Sequence, residues 1–170
     1  TNVDVAPYLI EVYLRDERWE KAKPLLELLI QNDQDSDTST KQQHHFKLAL
    51  CAQNLRLDEL ALEQYLHAYR LDSTHFPTLE GLAEVYLRKE DWDGAANMLQ
   101  AILIHHGERL EPQAKVEVMY KQGQAKFMLG DYRRALDLLI RVMETQPNHR
   151  DSIDLLISTY ERREKWEEAI

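Results

Sequence analysis

Hydrophobic residues recur along the chain at spacings of three and four positions. The first such segment, residues 4–15, has apolar side chains at positions i, i+3, i+4 and i+7, which form one face of an α-helix. A short polar turn separates it from a second segment of the same period, and this pairing continues through the sequence. Two amphipathic helices joined by a short turn form an antiparallel hairpin, so the pattern predicts an all-α chain of helical hairpins.

One stretch of the sequence occurs three times. Residues 84–95 read Glu-Val-Tyr-Leu-Arg-Lys-Glu-Asp-Trp-Asp-Gly-Ala, and related stretches occupy residues 11–22 and, more loosely, 158–169. Each copy carries a tryptophan that follows a tyrosine by six positions, and the tryptophans are evenly spaced to within one position, at Trp19, Trp92 and Trp166. A fixed period of this kind indicates a repeat architecture, in which each unit buries its apolar face against its neighbours.

Four full repeats, followed by part of a fifth, account for the sequence. One matching position in each of them is occupied in turn by Ile10, Ala49, Ala83, Gly123 and Ile157. The repeats are about 3–36, 42–75, 76–109, 116–149 and 150–170. We expect them to form a single domain over residues 1–170, with a turn before Trp166 and a second helix cut short. Because the sequence begins without methionine, we also expect a fragment of a longer protein.

The spacing of the repeats alternates. Extra residues precede only the second and fourth repeats, so the larger period of the sequence is a pair of repeats. The tryptophans follow this larger period, and His75 and His149 also match across it. A duplicated block of two repeats would produce this pattern.

Polar residues without a helical period interrupt the pattern at 31–40 and predict a loop. In a capping box, Ser or Thr caps the start of a helix and Glu or Gln follows three residues later. Either Ser39 with Gln42 or Thr40 with Gln43 matches that pattern. The third helix is therefore expected to open at one of these two pairs.

Composition and charge narrow the functions that such a chain can have. Acidic side chains number 30 against 21 basic ones, a formal net charge of −9. This balance disfavours nucleic acids and anionic membrane surfaces, which bind basic patches. No hydrophobic run approaches the roughly 20 residues of a membrane span, and no signal-peptide pattern opens the sequence. A fragment could have lost either segment, so the compartment stays open, with the cytoplasm favoured.

Candidate catalytic and metal-binding residues do not form a recognisable site in the sequence. The pairs His44-His45 and His105-His106 are adjacent and point about 100° apart on a helix, whereas helical metal ligands prefer i, i+4 spacing. Cys51 is the single cysteine, so an internal disulfide is excluded and a small core residue is expected. Zinc, calcium, phosphate-loop and nucleophile-elbow motifs are absent. We therefore expect no enzyme, no metal and no cofactor.

The repeats resemble those of the tetratricopeptide repeat family, whose unit is a helix-turn-helix of about 34 residues. The fourth repeat carries the family's pattern at Met119, Gly123, Gly130-Asp131-Tyr132, Ala135, Leu139 and Pro147. The third carries it at Leu79, Leu82, Ala83, Tyr86, Trp92, Ala95 and Leu99. The second has Ala52 in place of an aromatic, and the first and fifth have Ile10 and Ile157 where a small residue is usual. The resemblance covers essentially the whole chain and implies a right-handed α-solenoid of these repeats.

The resemblance also implies that the first helix of each repeat lines a concave groove. Removing the buried face of each first helix leaves the residues expected in that groove, which we call the groove set. It consists of Tyr8, Glu11, Arg15, Phe46, Lys47, Leu50, Asn54, Glu80, Glu84, Leu87, Arg88, Tyr120, Lys121, Gln124, Phe127 and Asp154. An exposed aromatic flanked by charges suits a peptide anchor. The sequence leaves open whether Phe46, Tyr120 and Phe127 are such anchors or pack beneath neighbouring helices.

The function that follows from this reading is a non-catalytic scaffold that binds a peptide or helix of a partner protein in the groove. The alternative is a structural spacer or self-association segment of a larger repeat protein, because the fifth repeat leaves apolar side chains without a following repeat to cover them. Such a C-terminal end face invites homodimers. Single-stranded RNA binding is disfavoured, since it requires a basic inner face. The expected partner is a protein or peptide, with neither nucleic acid nor a direct membrane contact.

Overall fold

The computed structural model describes residues 5–33 and 36–168, with side chains described as far as Glu164. Within these ranges the chain forms nine α-helices and no strand, which confirms the all-α prediction. The helices are α1 (Ala6–Arg15), α2 (Trp19–Asn32), α3 (Thr38–Asn54), α4 (Asp58–Leu71), α5 (Phe76–Arg88), α6 (Trp92–His106), α7 (Pro112–Met128), α8 (Tyr132–Thr145) and α9 (Arg150–Glu168). Among the described residues, no helix combines the length and the apolar character needed to cross a membrane.

Two compact units divide the chain between residues 85 and 86, within α5. In unit 1, α1 packs on α2, α2 on α3 and α3 on α4. In unit 2, α6 packs on α7, α7 on α8 and α8 on α9, and α9 also contacts α7. Contacts between elements close in sequence are typical of repeat arrays, in which each repeat touches only its neighbours. That residues 1–170 form a single domain stays a prediction.

Unit 1 is held together by small residues that let helices approach and by aliphatic side chains that fill the space between them. Ala22 and Leu26 on α2 are fully buried and share one cluster with Ile10, Leu48 and Cys51. Burying a leucine side chain of this kind stabilises the fold by about 1.5–3 kcal/mol. The repeat positions at which the sequence places Ala or Leu are therefore core positions.

Unit 2 uses the same arrangement with different residues. Val116 and Met119 on α7 pack against Leu138 and Val142 on α8, and the ring of Tyr120 covers the edge of this cluster. The four aliphatic members of the cluster are each at most 9% exposed. The apolar sides of α7 and α8 therefore pack against each other in this cluster.

The four complete hairpins share one backbone device at the end of their first helix. The turn residues Glu17, Arg56, Glu90 and Gly130 all adopt positive φ, between 54° and 75°. The next N–H reaches back to a carbonyl oxygen five positions upstream, at 2.7–2.9 Å in each hairpin. This is the Schellman arrangement, which satisfies the last carbonyl groups of a helix through a left-handed residue. The four turns recur at the repeat spacing.

A left-handed turn residue with a side chain carries backbone strain that glycine would relieve. Arg56 has φ of 60°, a conformation that costs a non-glycine residue about 1–2 kcal/mol. Glycine gives back part of this gain through its unfolded-state entropy, so Arg56→Gly is expected to stabilise the protein by about 0.5–1 kcal/mol. Urea denaturation measures the change. Gly130→Ala should move stability the opposite way, and an equal gain from Arg56→Ala would show that the side chain, not the backbone, is responsible.

The start of α3 differs from the capping boxes predicted at Ser39 and Thr40. The helix begins at Thr38, and its N-cap is Asp37, whose carboxylate accepts a hydrogen bond from the Thr40 N–H at 2.8 Å. This bond and others lower the pKa of Asp37, the Thr40 backbone N–H being the largest cause. Asp is at least as good a cap as Ser or Thr, and a carboxylate also complements the helix dipole. The loop predicted at 31–40 is correspondingly shorter, since α2 continues to Asn32.

The fifth repeat also differs from its prediction. The repeat pattern predicts a turn before Trp166, but α9 runs without interruption from Arg150 to Glu168. Glu164 is the residue that matches the left-handed turn position of the other hairpins. A helical backbone at Glu164 avoids the strain that a left-handed residue with a side chain carries. The side chain of Trp166 and residues 169–170 lie outside the described part of the structure.

Candidate functional site

The groove set lies on the first helix of each hairpin, on α1, α3, α5, α7 and α9. The structure describes all of its members, and none of them is buried. Tyr8 is the most open ring, at 76% exposure, whereas Phe46, Tyr120 and Phe127 are half-buried. The groove set therefore consists of surface side chains, in contrast to the buried repeat positions beside it.

In unit 1, polar side chains connect successive first helices. Lys47 Nζ on α3 donates to Glu11 Oε1 on α1. Gln53 Nε2 on α3 donates to Glu84 Oε2 on α5 at 2.6 Å, and its Oε1 accepts from the Tyr65 hydroxyl on α4. Gln53 thus links three helices. Neither the helical period nor a sequence motif predicts this role for a glutamine.

The Phe46 ring lies against two other rings of unit 1. Its centroid is 5.0 Å from that of His75, in an edge-on arrangement, and 6.1 Å from that of Tyr65. His75 precedes α5, and its Nδ1 shares a hydrogen bond of 2.7 Å with Thr78 Oγ1 in the first turn. Phe46 is therefore half-buried and packs against neighbouring rings, and its role as a peptide anchor stays a prediction.

Unit 2 repeats this arrangement one pair of repeats further along the chain. The Tyr120 ring centroid lies 5.1 Å from that of His149, which precedes α9. Nδ1 of His149 lies 2.7 Å from Ser152 Oγ and accepts the Ser152 N–H at 3.2 Å. His75 and His149 occupy matching positions in the two-repeat period of the sequence. Their contacts also match, since each lies at the start of a first helix and packs against an aromatic ring of the groove set.

Three carboxylates act on the Tyr120 hydroxyl through their charge. Burial raises the pKa of the Tyr120 hydroxyl, and the charges of Asp151, Glu117 and Asp154 raise it further. Lys121 on the same helix forms an ion pair with Glu117 at 3.5 Å. The surface around Tyr120 is therefore aromatic and predominantly acidic.

A cavity of about 470 Å³ opens between α7 and α9 in unit 2, lined by Phe127, Ser158, Glu161 and Arg162. The Phe127 ring packs against the Tyr132 ring, with the ring centroids 5.7 Å apart. Phe127 was in the groove set, whereas Glu161 was not. Glu161 follows Asp154, a member of the groove set, by seven positions, so the helical period of α9 places both on one face and could have included it.

The Cys51 thiol is buried and not part of a disulfide. Burial raises the pKa of the Cys51 thiol to about 11, so the thiol is protonated at neutral pH, in keeping with its predicted place in the core. No group of three or more His, Cys, Asp or Glu side chains is arranged to hold a metal ion among the residues the structure describes. Rings, carboxylates and ammonium groups at the surface can contribute stacking, ion pairs and hydrogen bonds.

His67 on α4 is expected to make the stability of unit 1 depend on pH. Burial is the largest cause that lowers the pKa of His67. The charges of His45 and Arg70 lower it further, whereas the charge of Glu63 raises it. The His45 ring stacks on the His67 ring, with the centroids 5.0 Å apart. A lowered pKa in the folded state means that the unfolded chain takes up the proton first. Stability is therefore full above about pH 6.5 and is lost as the pH falls through the folded pKa.

The expected result is a midpoint of urea denaturation that falls between pH 7 and pH 5 less steeply in His67→Gln than in the wild type. His105→Gln, which removes an exposed histidine of α6, is the matched control. Parallel pH profiles for wild type and His67→Gln would show that His67 is not the source.

Two sequence-family models match the chain, both described as tetratricopeptide repeat, at residues 78–112 and 117–149. The chain carries tetratricopeptide repeats. The matched ranges agree within a few residues with the third and fourth repeats predicted at 76–109 and 116–149. The resemblance inferred from the repeat residues is thereby confirmed. Repeats of this type support a role in protein–protein interaction.

Solved structures of tetratricopeptide repeat proteins share the fold. MamA of AMB-1 matches with a TM-score of 0.78 and 16% identity, over 99% of this chain and 86% of MamA. YrrB, described as a TPR protein with an unusual peptide-binding site, matches with a TM-score of 0.69 and 16% identity, over 90% of this chain and 73% of YrrB. A structure described as nearly identical TPR-like repeats of a kinesin light chain from Podosopora anserina matches with a TM-score of 0.68 and 17% identity, over 98% of this chain and 89% of that chain. At such identities the likeness concerns the fold alone. No curated protein matches the sequence at a significant level.

Proposed function

We propose that this tetratricopeptide repeat chain is a non-catalytic scaffold that binds a peptide or helix of a partner protein on the surface formed by its first helices. The observation that carries the proposal is the separation of the two residue classes on those helices. On α7, Val116 and Met119 are buried in the core, whereas Tyr120 and Phe127 keep one side accessible. Half-buried rings are rigid, so they can contribute contact area at a low entropic cost.

Charges next to the rings support recognition of a specific partner. Lys47 follows Phe46, and Lys121 follows Tyr120, at matching places in the two units. Charged groups at the rim of a contact surface contribute more to selectivity and association rate than to affinity. The description of YrrB as carrying a peptide-binding site adds a precedent within the same fold.

The proposal is tested by affinity capture with the 170-residue chain. Phe46→Ala combined with Phe127→Ala removes one ring from each unit, and Leu28→Ala combined with Ile104→Ala removes two exposed apolar side chains from second helices as a control. We expect partners retained by the wild type and the control to be lost from the ring variant. Equal capture by all three proteins would contradict the proposal.

The charge at Lys47 requires a second control, because its reversal also affects stability. Lys47→Glu places two carboxylates together where Lys47 now pairs with Glu11. The swap Glu11→Lys with Lys47→Glu restores the pair but inverts its polarity. If both variants lose the partner while the swap keeps wild-type stability, the loss reports recognition.

Self-association is the second candidate, and a cleft in unit 2 favours it. The cleft, about 570 Å³, lies between α8 and α9 and includes Ile140 and Tyr160, which are 40% and 43% exposed. Light scattering of Ile140→Glu combined with Tyr160→Glu tests this candidate, with Ile104→Glu as an exposed control on α6. A wild-type dimer that only the double variant dissociates would support self-association, and a monomeric wild type would exclude it at the concentration measured.

A further inference from the structure

We infer that the α7–α9 face of unit 2 binds a basic segment in polyproline II conformation that presents two arginine side chains, one to the Phe127 cavity and one to Tyr120. This inference rests on the proposed function and specifies the chemistry of the partner. It comes from three features of the same face: a cavity lined by an aromatic residue and a carboxylate, the acidic surroundings of Tyr120, and the spacing of the two rings along α7.

The first feature is the cavity between α7 and α9. It is lined by Phe127, Ser158, Glu161 and Arg162. A guanidinium group stacks on an aromatic face through its planar, weakly hydrated surface and pairs with a carboxylate through its N–H groups. The cavity combines both partners for such a group, and Ser158 adds a hydroxyl that can accept a hydrogen bond.

The second feature is the charge around Tyr120. Asp151, Glu117 and Asp154 are close enough to raise the pKa of its hydroxyl. Lys121 is paired with Glu117, which leaves the carboxylates of Asp151, Asp154 and Glu161 on this face against the guanidinium group of Arg162. The face is therefore complementary to a cation, in line with the formal charge of −9 for the whole chain.

The third feature is the spacing of the two rings. Tyr120 and Phe127 are seven positions apart on one helix, which at about 1.5 Å per residue is roughly 10 Å. A chain in polyproline II conformation rises about 3.1 Å per residue and completes one turn every three residues, so side chains three positions apart lie on the same side and span about the same distance. A segment of the form Arg-x-x-Arg in polyproline II conformation therefore matches the two ring sites.

Fluorescence anisotropy with the 170-residue chain tests the inference. The probes are short labelled peptides of neutral residues that carry two arginines three positions apart, two adjacent arginines, or two citrullines in the first spacing. We expect the first peptide to bind about tenfold more tightly than either of the others, and its affinity to fall as salt is raised. Citrulline keeps the shape of arginine but not its charge, so equal binding of the citrulline peptide would overturn the cationic specificity.

Matched variants locate the site. Asp154→Asn with Glu161→Gln removes two carboxylates of the face, and Glu108→Gln with Glu144→Gln removes two exposed ones elsewhere in unit 2. We expect about tenfold weaker binding of the spaced arginine peptide by the first variant and unchanged binding by the second. Equal loss in both would indicate a general charge effect and would overturn the assigned site.

The peptide-binding and capture experiments distinguish a wrong partner chemistry from a wrong scaffold function. If the arginine peptides do not bind, but capture from lysate still depends on Phe46 and Phe127, the partner chemistry is wrong and the scaffold function stands. If the peptides do not bind and capture is also independent of both rings, the scaffold function on this surface fails as well.

Discussion

Replacing Gly81 by alanine is expected to destabilise unit 1 by about 1–3 kcal/mol, the range for overpacking a closely packed site. The reason is the approach of α4 to α5. A Cβ atom at Gly81 would lie 2.6 Å from both Cε1 and the hydroxyl oxygen of Tyr65, well inside contact distance. The ring has little freedom to move away, because Tyr65 is 1% exposed and its hydroxyl is bonded to Gln53.

A double-mutant cycle separates this clash from other effects of the substitution. In a Tyr65→Ala background the obstacle is gone, and alanine is favoured over glycine inside a helix by about 1 kcal/mol. Gly81→Ala should therefore change sign, from destabilising in the wild type to neutral or stabilising in the variant. Urea denaturation of the four proteins provides the comparison, and the same loss in both backgrounds would show that the ring is not the cause.

Truncating Tyr65 to alanine is expected to lower the free energy of unfolding by about 3–5 kcal/mol, the largest effect we predict for any single residue. Tyr65 is among the largest fully buried side chains among the described residues. Its removal leaves a cavity between α4 and α5 and also removes the donor to Gln53. Because folded domains are only marginally stable, a loss of this size is a large share of the total.

Tyr65→Phe divides the effect into packing and hydrogen bonding. Phenylalanine keeps the ring but leaves the Gln53 oxygen without its donor, at a cost of about 1 kcal/mol. Thermal and urea denaturation should place Tyr65→Phe much closer to the wild type than Tyr65→Ala. Near-equal losses in the two variants would mean that the hydroxyl, not the ring, dominates, contrary to the expectation.

The repeat fold follows from the sequence to a large extent, because its determinants are local or periodic. Helical faces such as that of α7 are encoded by spacing, and the hairpin turns recur where the sequence repeats, at Arg56 and Gly130 among others. The ends of the helices were predicted less accurately. The N-cap of α3 is Asp37 and not the predicted Ser39 or Thr40, because several good capping residues lie side by side there and only the folded chain selects among them.

The candidate site was only partly contained in the sequence. The surface character of its residues followed from subtracting the apolar stripe, and the structure places every member of the groove set at the surface. The partners of these side chains did not follow. Glu161 contributes to the α7–α9 cavity, and Gln53 joins three helices, through contacts between residues far apart in sequence.

The sequence alone therefore determined the repeat period, the helical hairpins, the core positions and the family, because each depends on residues spaced by one helical turn or one repeat. Tertiary structure alone decided which rings are half-covered, which charges are paired and where a cavity opens. Those properties depend on the distance between helices, which is set by the packing of small residues such as Gly81 against rings such as Tyr65. The continuous course of α9 belongs to the same class, since the repeat pattern predicts a turn before Trp166 and the backbone remains helical there.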